Sequence, residues 1–333
     1  MSELRLNVIS NEWVIIATER ATRPHDFAAA AAAHPTLPAH RADCPFCPGN
    51  EQLATAEICR TGGSGRAWRT RVVPNKFPAL QPAGTPERKF DGVFRSISGV
   101  GIHEVIIEHP RHDAVMALMS AADIVEILQV YRTRYRIIQD DPRVAAITVF
   151  KNHGARAGTS LEHPHSQLIA TPVVPPQARV RLERAMRYYD EFGACVVCQM
   201  LAQELAAGER VLVASDYFVS FIPYAALSPF HTWIFPRRHC ASFADAADSE
   251  LQDLAVNLKT YLGKLYHGLH NPDFNLTIRS LPGFEHADYQ HWYVSVVPRV
   301  SNVAGFELGS GIFVNTALPE HSAAFLRGVT VPD

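Results

Sequence analysis

The sequence predicts an α+β fold made of two similar halves, residues 1–177 and 178–333. A repeat carries this prediction. The motif Cys-x-x-Cys at 44–47 returns at 195–198, and strand-like and helix-like segments follow each pair in the same order. Three prolines between 172 and 176 interrupt the chain and favour a boundary there. Strands followed by amphipathic helices in each half indicate sheets with helices packed on them.

The first half opens with two strands in residues 5–18, around a turn at Ser10-Asn11. An alanine-rich stretch at 28–33 predicts a variable loop. Apolar residues at helical spacing predict a helix over 121–139. The remaining strand-like segments of this half are 71–78, 101–112, 144–151 and the apolar stretch that follows Gln167.

The second half repeats this order after a helix over 178–192. The interval from His112 to His163 is 51 positions, and the interval from His239 to His291 is 52, which supports the repeat. The predicted elements are strands within 211–223, 231–239 and 291–298, a helix at about 248–268, a polar glycine-rich stretch at 302–315 and a helix over 319–328.

Bulk properties bound the class of protein. The chain of 333 residues is long enough for one large or two ordinary domains, and 47% hydrophobic residues support a core. A formal charge of −2 gives no reason to expect a nucleic acid partner. No apolar run approaches about 18 residues, so no membrane partner is expected. The first residues, Met-Ser-Glu-Leu-Arg-Leu, lack a signal-peptide core, and we expect a cytoplasmic protein.

Four of the six cysteines form the two Cys-x-x-Cys pairs. In a reducing cytosol such pairs favour metal binding or redox chemistry over a disulfide framework. Thioredoxin-like pairs lead into a helix, whereas Cys47 is followed by Pro-Gly, so two thiolates converging on zinc are the better interpretation. Two more ligands are needed, and the strand-like segment 101–112 offers His103, His109 and His112.

The stretch 152–170 carries the strongest functional signal. Gly154 and Gly158 allow the backbone to approach a ligand closely. If the chain is extended after them, His163, His165 and Gln167 share one face. A surface strand with incidental histidines is the alternative. The agreement between the loop and the face favours a site that holds a phosphate and attacks it.

This stretch resembles the galactose-1-phosphate uridylyltransferase branch of the histidine triad superfamily. The family pattern of Asn-x-Gly, Gly-x-Ser and His-Pro-His-x-Gln stands here at Asn152, Gly158-Thr-Ser160 and 163–167. The resemblance implies tandem duplicated histidine-triad-like domains with antiparallel sheets and packed helices. It also implies a homodimer that acts on nucleotide-sugar and sugar 1-phosphate substrates.

The implied activity is a UDP-glucose–hexose-1-phosphate uridylyltransferase with a ping-pong mechanism. His165 attacks the α-phosphorus and carries the nucleotidyl group, while Gln167 and Ser160 hold phosphoryl oxygens. The other nitrogen of His165 needs a partner that fixes its tautomer, and a carbonyl of the glycine loop is expected to supply it.

The resemblance and the repeat together imply two structural zinc sites. In the family the third ligand lies at the end of the strand before His112, and the fourth is His163. The repeat then provides a second set, for which Cys240 and His231 are alternates. The two sets are Cys44, Cys47, His112 and His163, and Cys195, Cys198, His239 and His291.

The resemblance also implies substrate contacts along the chain. Nucleoside contacts come from one segment, phosphate contacts from an arginine loop and the glycine loop, and sugar contacts from the closing stretch. The nucleoside contacts are Asn75 and Phe77, the phosphate contacts are Arg20, Arg23, Asn152 and Gly158, and the sugar contacts are Glu307 and Asn315.

The sequence departs from the family in the second half. Tyr293 stands at the position that matches His165, so this half is expected to be catalytically silent. Ser295 and Val297 stand where other members of the family have histidines of a different metal site. In this respect the chain resembles a sub-branch of the family that includes ADP-glucose phosphorylases. Adenylyl transfer to phosphate is therefore an alternative, because the segment around Asn75 does not decide between uracil and adenine. A hydrolase and a non-enzymatic zinc or nucleotide-binding protein are further alternatives.

Overall fold

The computed structural model describes residues 2–17, 27, 34–284 and 287–332. Within these residues the strands are β1 (Glu3–Leu6), β2 (Trp13–Ile16), β3 (Cys59–Gly62), β4 (Trp68–Pro74), β5 (Arg88–Asp91), β6 (Phe94–Ile97), β7 (Ile102–Ile107), β8 (Ala146–His153), β9 (His165–Thr171), β10 (Val211–Ala214), β11 (Phe218–Phe221), β12 (Thr232–Pro236), β13 (Phe274–Arg279), β14 (Tyr293–Pro298) and β15 (Phe313–Asn315). The helices are α1 (Ala121–Gln139), α2 (Pro176–Phe192), α3 (Val196–Ala207), α4 (Asp248–Leu269), α5 (Gly305–Ser310) and α6 (Pro319–Gly328).

One large antiparallel sheet organises the chain. Its strand order is β10-β11-β12-β14-β13-β8-β9-β7-β4-β3, so the strands of the second half lie at one end and those of the first half at the other. The halves meet where β8 pairs with β13. The sequence predicted a sheet in each half, and the structure joins the two edge to edge. This pairing satisfies backbone groups that an isolated half would leave open.

The two halves are related by an approximate two-fold axis. Phe150 pairs with Gln167 in the first half, and Thr277 pairs with Ser295 in the second. Phe150 and Thr277 also pair with each other. Equivalent residues that face each other define a two-fold relation. Read outward from this pair, β8-β9-β7-β4-β3 matches β13-β14-β12-β11-β10.

Helices α1 and α4 cover one face of the sheet and form the main core with it. Ile124 and Ile127 of α1 and Leu254 and Leu258 of α4 are buried there. Burying such side chains stabilises the fold by roughly 1.5–3 kcal/mol each. A capping box at Ser120 begins α1.

The opposite face of the sheet differs between the halves. In the second half α2 and α3 cover it, with Leu201 of α3 in a cluster that includes Phe221, Trp233 and Phe235. In the first half a smaller cluster forms around Phe46 and the first cysteine pair. Two helices therefore cover this face in the second half, whereas the segment around Phe46 covers part of it in the first.

The α+β class with antiparallel strands and packed helices is confirmed. The helices predicted over 121–139 and 319–328 have those bounds, and α2 and α4 differ from their predictions by one or two residues. Two α-helices of the described residues were missed: α3 begins directly after Cys195 and includes Cys198, and α5 lies in the closing stretch that was predicted as a loop. None of the helices in the described residues combines the length and hydropathy needed to cross a membrane.

Candidate functional site

Four side chains from three segments converge beside the start of β9. They are Cys44, Cys47, His112 and His163, all buried, and their ligand atoms lie within 4.8 Å of one another. The Cys47 Sγ lies 3.6 Å from Nδ1 of His112 and 3.6 Å from Nδ1 of His163. Bond lengths of about 2.3 Å to sulfur and about 2.05 Å to nitrogen place two tetrahedral zinc ligands about 3.6 Å apart. The geometry fits a metal with four protein ligands.

The outer nitrogen of His163 is hydrogen-bonded, whereas that of His112 has only a carboxylate nearby. His163 Nε2 donates to the carbonyl oxygen of His109 at 2.7 Å, and His112 Nε2 lies 3.7 Å from the Glu162 carboxylate. A proton on Nε2 leaves Nδ1 for the metal. Among the alternatives that the sequence offered, His109 contributes its carbonyl, and His103 lies beside Gln167.

The second half contains a matching cluster of Cys195, Cys198, His239 and His291, again within 4.8 Å. The Cys198 Sγ is 3.4 Å from Nδ1 of His239 and 3.7 Å from Nδ1 of His291. His291 Nε2 donates to the carbonyl oxygen of Pro236 at 3.0 Å. Both clusters could hold a metal ion, and two thiolates with two imidazoles form a donor set that zinc prefers.

The alternates for the second cluster have other partners. Cys240 lies 3.3 Å from the carbonyl oxygen of Ser242, and His231 Nε2 lies 2.9 Å from the Ser295 hydroxyl. The two cysteine pairs also differ locally. Cys195 is the N-cap residue of α3, whereas Pro48 and Gly49 end the first pair in a turn.

His165 is the first residue of β9 and is fixed in one tautomer. Its Nδ1 lies 2.8 Å from the carbonyl oxygen of His163. A carbonyl can only accept, so Nδ1 carries the proton and Nε2 keeps its lone pair. The expected partner was a carbonyl of the glycine loop, and this was wrong, because the carbonyl belongs to the adjacent metal-cluster residue. Burial lowers the pKa of His165, against the hydrogen bond to His163, and this favours the neutral imidazole.

A buried polar network that sequence reasoning missed lies behind His165. Lys151 forms an ion pair with Glu108, and its ammonium lies 3.3 Å from the carbonyl oxygen of His165. Ser166 and Tyr131 also donate to the Glu108 carboxylate. Burial would raise the pKa of Glu108, but Lys151 and these hydroxyls lower it below its ordinary value. The network holds the backbone of the strand that carries His165.

The glycine loop is braced by the second half. Gly154 and Gly158 have φ angles of 83° and 89°, which glycine adopts without strain. A Cβ at position 154 would lie 1.9 Å from Oδ1 of Asp273, so the close approach is to this carboxylate. Asp273 also accepts from the backbone N–H of Arg156 at 2.5 Å, and Asn275 donates to Asn152 Oδ1 at 2.9 Å.

Gln167 lies on the same face of β9 as His165, two residues further on. Its Oε1 accepts from His103 Nε2 at 2.8 Å and lies 3.5 Å from the Asn75 amide nitrogen. Asn75, predicted to contact the nucleoside, therefore lies against Gln167, on the strand that carries His165. Phe77, predicted to pack on the nucleoside, is 83% exposed and free to contact a ligand.

The other predicted contacts are spread more widely. Ser160 is exposed at the mouth of the glycine loop. Glu307 lies in the first turn of α5 and accepts from the backbone N–H of Ala304 at 3.0 Å. Asn315 is buried, and both ends of its amide bond to backbone groups, so its position does not support a sugar contact. Arg20 and Arg23 lie outside the described residues.

A cleft of about 690 Å³ opens beside the nucleophile, and this volume is within the range of small-molecule sites. Its lining includes Lys151, Asn152, Gly154, Ser160 and His165. The arrangement combines a fixed imidazole lone pair with hydrogen-bond donors around a cleft. That combination defines a class of enzymes that transfer a group through a histidine nucleophile.

Comparisons with known proteins agree with this class. Residues 1–175 match the family model for the N-terminal domain of galactose-1-phosphate uridyl transferase, and residues 181–329 match the model for its C-terminal domain. The chain belongs to the galactose-1-phosphate uridyl transferase family. It is accordingly a nucleotidyltransferase of the uridylyltransferase type.

Individual relatives cover nearly the whole chain. An ADP-glucose phosphorylase of Arabidopsis thaliana is 36% identical over 337 residues, which are 99% of this chain and 93% of the relative. A galactose-1-phosphate uridylyltransferase of Thermotoga maritima is 26% identical over 99% of both chains. The crystal structure of an Arabidopsis thaliana ADP-glucose phosphorylase with bound ADP-glucose is 34% identical, with a TM-score of 0.84 over 100% of both chains.

Proposed function

We propose that the chain moves a nucleotidyl group from a nucleoside diphosphate glucose to a phosphate acceptor, through a covalent intermediate on Nε2 of His165. The observation that carries this proposal is the bond from His165 Nδ1 to the His163 carbonyl, because it frees Nε2 for attack. An imidazole attacks well when neutral and is a good leaving group once phosphorylated.

The first step forms a bond between Nε2 and the α-phosphorus and breaks the bond from that phosphorus to the bridging oxygen. Sugar 1-phosphate leaves with the electron pair. The ring then carries a positive charge, and the His163 carbonyl that accepts from Nδ1 stabilises it. In the second step a phosphate oxygen of the acceptor attacks the same phosphorus, and the electron pair returns to Nε2.

Donors that meet the phosphoryl oxygens supply most of the remaining acceleration. We assign this role to Gln167, Asn152 and Ser160, together with the backbone at Gly158. Arg20 and Arg23 remain proposed phosphate contacts, and Asn75, Phe77 and Glu307 remain proposed contacts to the nucleoside and sugar.

We assign zinc to both clusters as a structural ion. Bound there, it would link its cysteine and histidine ligands and fix the backbone between them. His163 would then be held on both sides, by the metal at Nδ1 and by the His109 carbonyl at Nε2. Its own carbonyl, the partner of His165, would be positioned as a result. The division at residues 177 and 178, the homodimer and the cytoplasmic location also remain proposals, and a reducing compartment suits clusters that need free thiols.

The first candidate donor is UDP-glucose with a hexose 1-phosphate as the acceptor, as in the family at large. A second candidate is ADP-glucose with inorganic phosphate. It is favoured by the 36% identity to the ADP-glucose phosphorylase, compared with 26% to the Thermotoga maritima uridylyltransferase.

Intact-protein mass spectrometry at neutral pH tests the proposal. Wild type and His165→Gly are each incubated with UDP-glucose and with ADP-glucose, without acid, because the phosphorus–nitrogen bond is acid-labile. A UMP adduct that disappears in His165→Gly supports uridylyl transfer. An AMP adduct alone supports the phosphorylase. Equal adducts in wild type and variant would disprove the role of His165.

A further inference from the structure

Two side chains outside the predicted motif hold the carbonyl ends of two amides of the site. His103 on β7 bonds to Oε1 of Gln167 at 2.8 Å, and Asn275 on β13 bonds to Oδ1 of Asn152 at 2.9 Å. Either end of an amide can face a ligand. Whichever end is held by the protein therefore decides whether the ligand meets a donor or a lone pair.

A backbone group fixes the direction of the bond from His103. The N–H of Ala79 lies 3.1 Å from His103 Nδ1, and an amide N–H can only donate. Nδ1 must accept, so the ring proton is on Nε2 and points at Gln167 Oε1. The Asn75 amide is fixed in the same way, because its Oδ1 accepts from the N–H of Phe77 at 2.9 Å. Its NH2 lies 3.0 Å from His103 Nε2 and 3.5 Å from Gln167 Oε1. Both nitrogens carry protons, so the acceptor that they share is Gln167 Oε1.

A backbone group also fixes Asn275, with the opposite polarity. The carbonyl oxygen of Ala157, in the glycine loop, lies 2.8 Å from Asn275 Nδ2. A carbonyl can only accept, so the NH2 group of Asn275 faces the loop. Its second hydrogen goes to Asn152 Oδ1. The NH2 of Asn152 is then left for the cleft that this residue lines.

We propose that His103 and Asn275 are positioning residues, which orient Gln167 and Asn152 so that both present NH2 groups to the transferred phosphoryl group. This inference rests on the proposed function. Negative charge collects on the phosphoryl oxygens, so an amide oxygen turned toward them would repel where an NH2 donates. Asn275 belongs to the half without a nucleophile, so that half contributes to the orientation of the catalytic loop.

The second half offers a matched control for His103. His231, the residue before β12, occupies the equivalent place, and its Nε2 lies 2.9 Å from the hydroxyl of Ser295, which matches Gln167. Both residues of this pair are buried, and neither is among the residues that line the cleft beside His165. His231→Leu removes the same type of bond without touching the transfer site. Thr277→Ala, on the same face of β13, is the control for Asn275.

The experiment is a pair of double-mutant cycles read by single-turnover nucleotidyl transfer, with the donor that labels wild type. His103→Leu is combined with Gln167→Ala, and Asn275→Ala with Asn152→Ala. Each positioning variant should lower the transfer rate by roughly tenfold or more, up to the 10²–10³-fold cost of losing such a donor. Donor KM should change little, and in the Gln167→Ala or Asn152→Ala background the further loss should disappear. His103→Gln, which keeps a donor at similar reach, should recover most of the rate.

Losses that multiply in the double variants, or equal losses in His231→Leu and Thr277→Ala, would overturn the positioning roles. Thermal unfolding of every variant separates these results from loss of the fold. Wild type that accepts no nucleotidyl group from either donor would overturn the proposed function, and this inference with it. Transfer by wild type with independent losses in the cycles overturns the positioning roles alone.

Discussion

The two halves of the sheet hold equivalent Cys-Cys-His-His clusters, yet they differ two residues beyond the last histidine. In the first half that residue is His165, which lines the cleft. In the second it is Tyr293, which stacks on Phe235 with ring centroids 4.5 Å apart beneath α2 and α3. The metal cluster therefore positions a strand, and the chemistry depends on what the strand carries and what covers it.

The interior behind the two strands differs as well. In the first half Lys151 and Ser166 meet the buried carboxylate of Glu108. The register places Ile278 and Val294 at the positions of Lys151 and Ser166, and both belong to the apolar core. Buried charges are costly unless they are fully paired, and an apolar pair is the usual solution. The polar network accompanies the half that carries the nucleophile.

The largest effect should come from replacing His165, with Tyr293 replaced as the matched control. His165→Gly should lower the transfer rate by at least about 10⁴-fold, because it removes the imidazole whose Nε2 lone pair attacks the phosphorus. Tyr293→Phe should leave the rate unchanged, because its ring packs in an aromatic cluster. Single-turnover rates and thermal unfolding of both variants check this. Comparable rates in His165→Gly and wild type would remove the distinction between the halves.

Removing each metal cluster in turn sharpens the comparison. Cys44→Ala and Cys198→Ala should each lose one zinc per chain and destabilise the fold, on the order of 4 kcal/mol. Cys44→Ala should also lower the transfer rate of the folded fraction by at least roughly 10- to 100-fold, because His163 loses its support. Metal analysis, thermal unfolding and activity on the same samples provide the answer. An equal loss of rate in both variants would contradict the separation of roles.

The buried ion pair gives a smaller contrast. Lys151→Met should lower the free energy of unfolding by about 3–5 kcal/mol, because it leaves the Glu108 carboxylate buried without its partner. Ile278→Val, at the matching position, should cost about 0.5–1.5 kcal/mol. Urea unfolding at neutral pH measures both. If the two substitutions cost the same, Glu108 is solvated in some way that the buried geometry does not predict.

The smallest effect concerns pH. Burial lowers the pKa of His165 from its ordinary value of 6.5, and the attacking form is the neutral imidazole. The rate of the first step should therefore stay constant as pH falls to 6.5 and decline below it. Initial rates of sugar 1-phosphate release, rather than the acid-labile adduct, should be followed, with bound metal measured at each pH. A midpoint above pH 6.5 would contradict the lowered pKa.

Much of this comparison could be predicted from the sequence, because the residues that mark the repeat have strong local structural preferences. Cysteine spacing, proline positions and helical periodicity gave the class of fold and most helices, and the structure brings together the same eight predicted metal ligands. What was missed depends on contacts across strands. The Lys151–Glu108 pair spans 43 residues, and no local pattern marks such a pair. Helix α3 was missed because the second cysteine pair was compared with a pair that ends at Pro48 and Gly49.

Asn315 shows the converse limit. The resemblance implied a sugar contact for this residue, but β15 pairs with β2 in parallel and Asn315 is buried. The prediction that a glycine-loop carbonyl accepts from His165 was wrong for a related reason. Two residues along an extended chain bring a carbonyl as close to the ring as any loop could, and sequence spacing alone does not distinguish the two.

The pairing of β8 with β13 has a consequence for how the two halves could diverge. A unit whose edge strand pairs with its own equivalent would assemble as a symmetric pair of separate chains, and any substitution in it would appear twice. Joining both copies in one polypeptide removes that constraint, since each copy has its own codons while the partner is always present at equal concentration. One copy can then lose its nucleophile to an aromatic packing residue and still hold the loop of the other. Because the two halves are covalently linked, each can change its sequence independently, and this permits the asymmetry of the molecule.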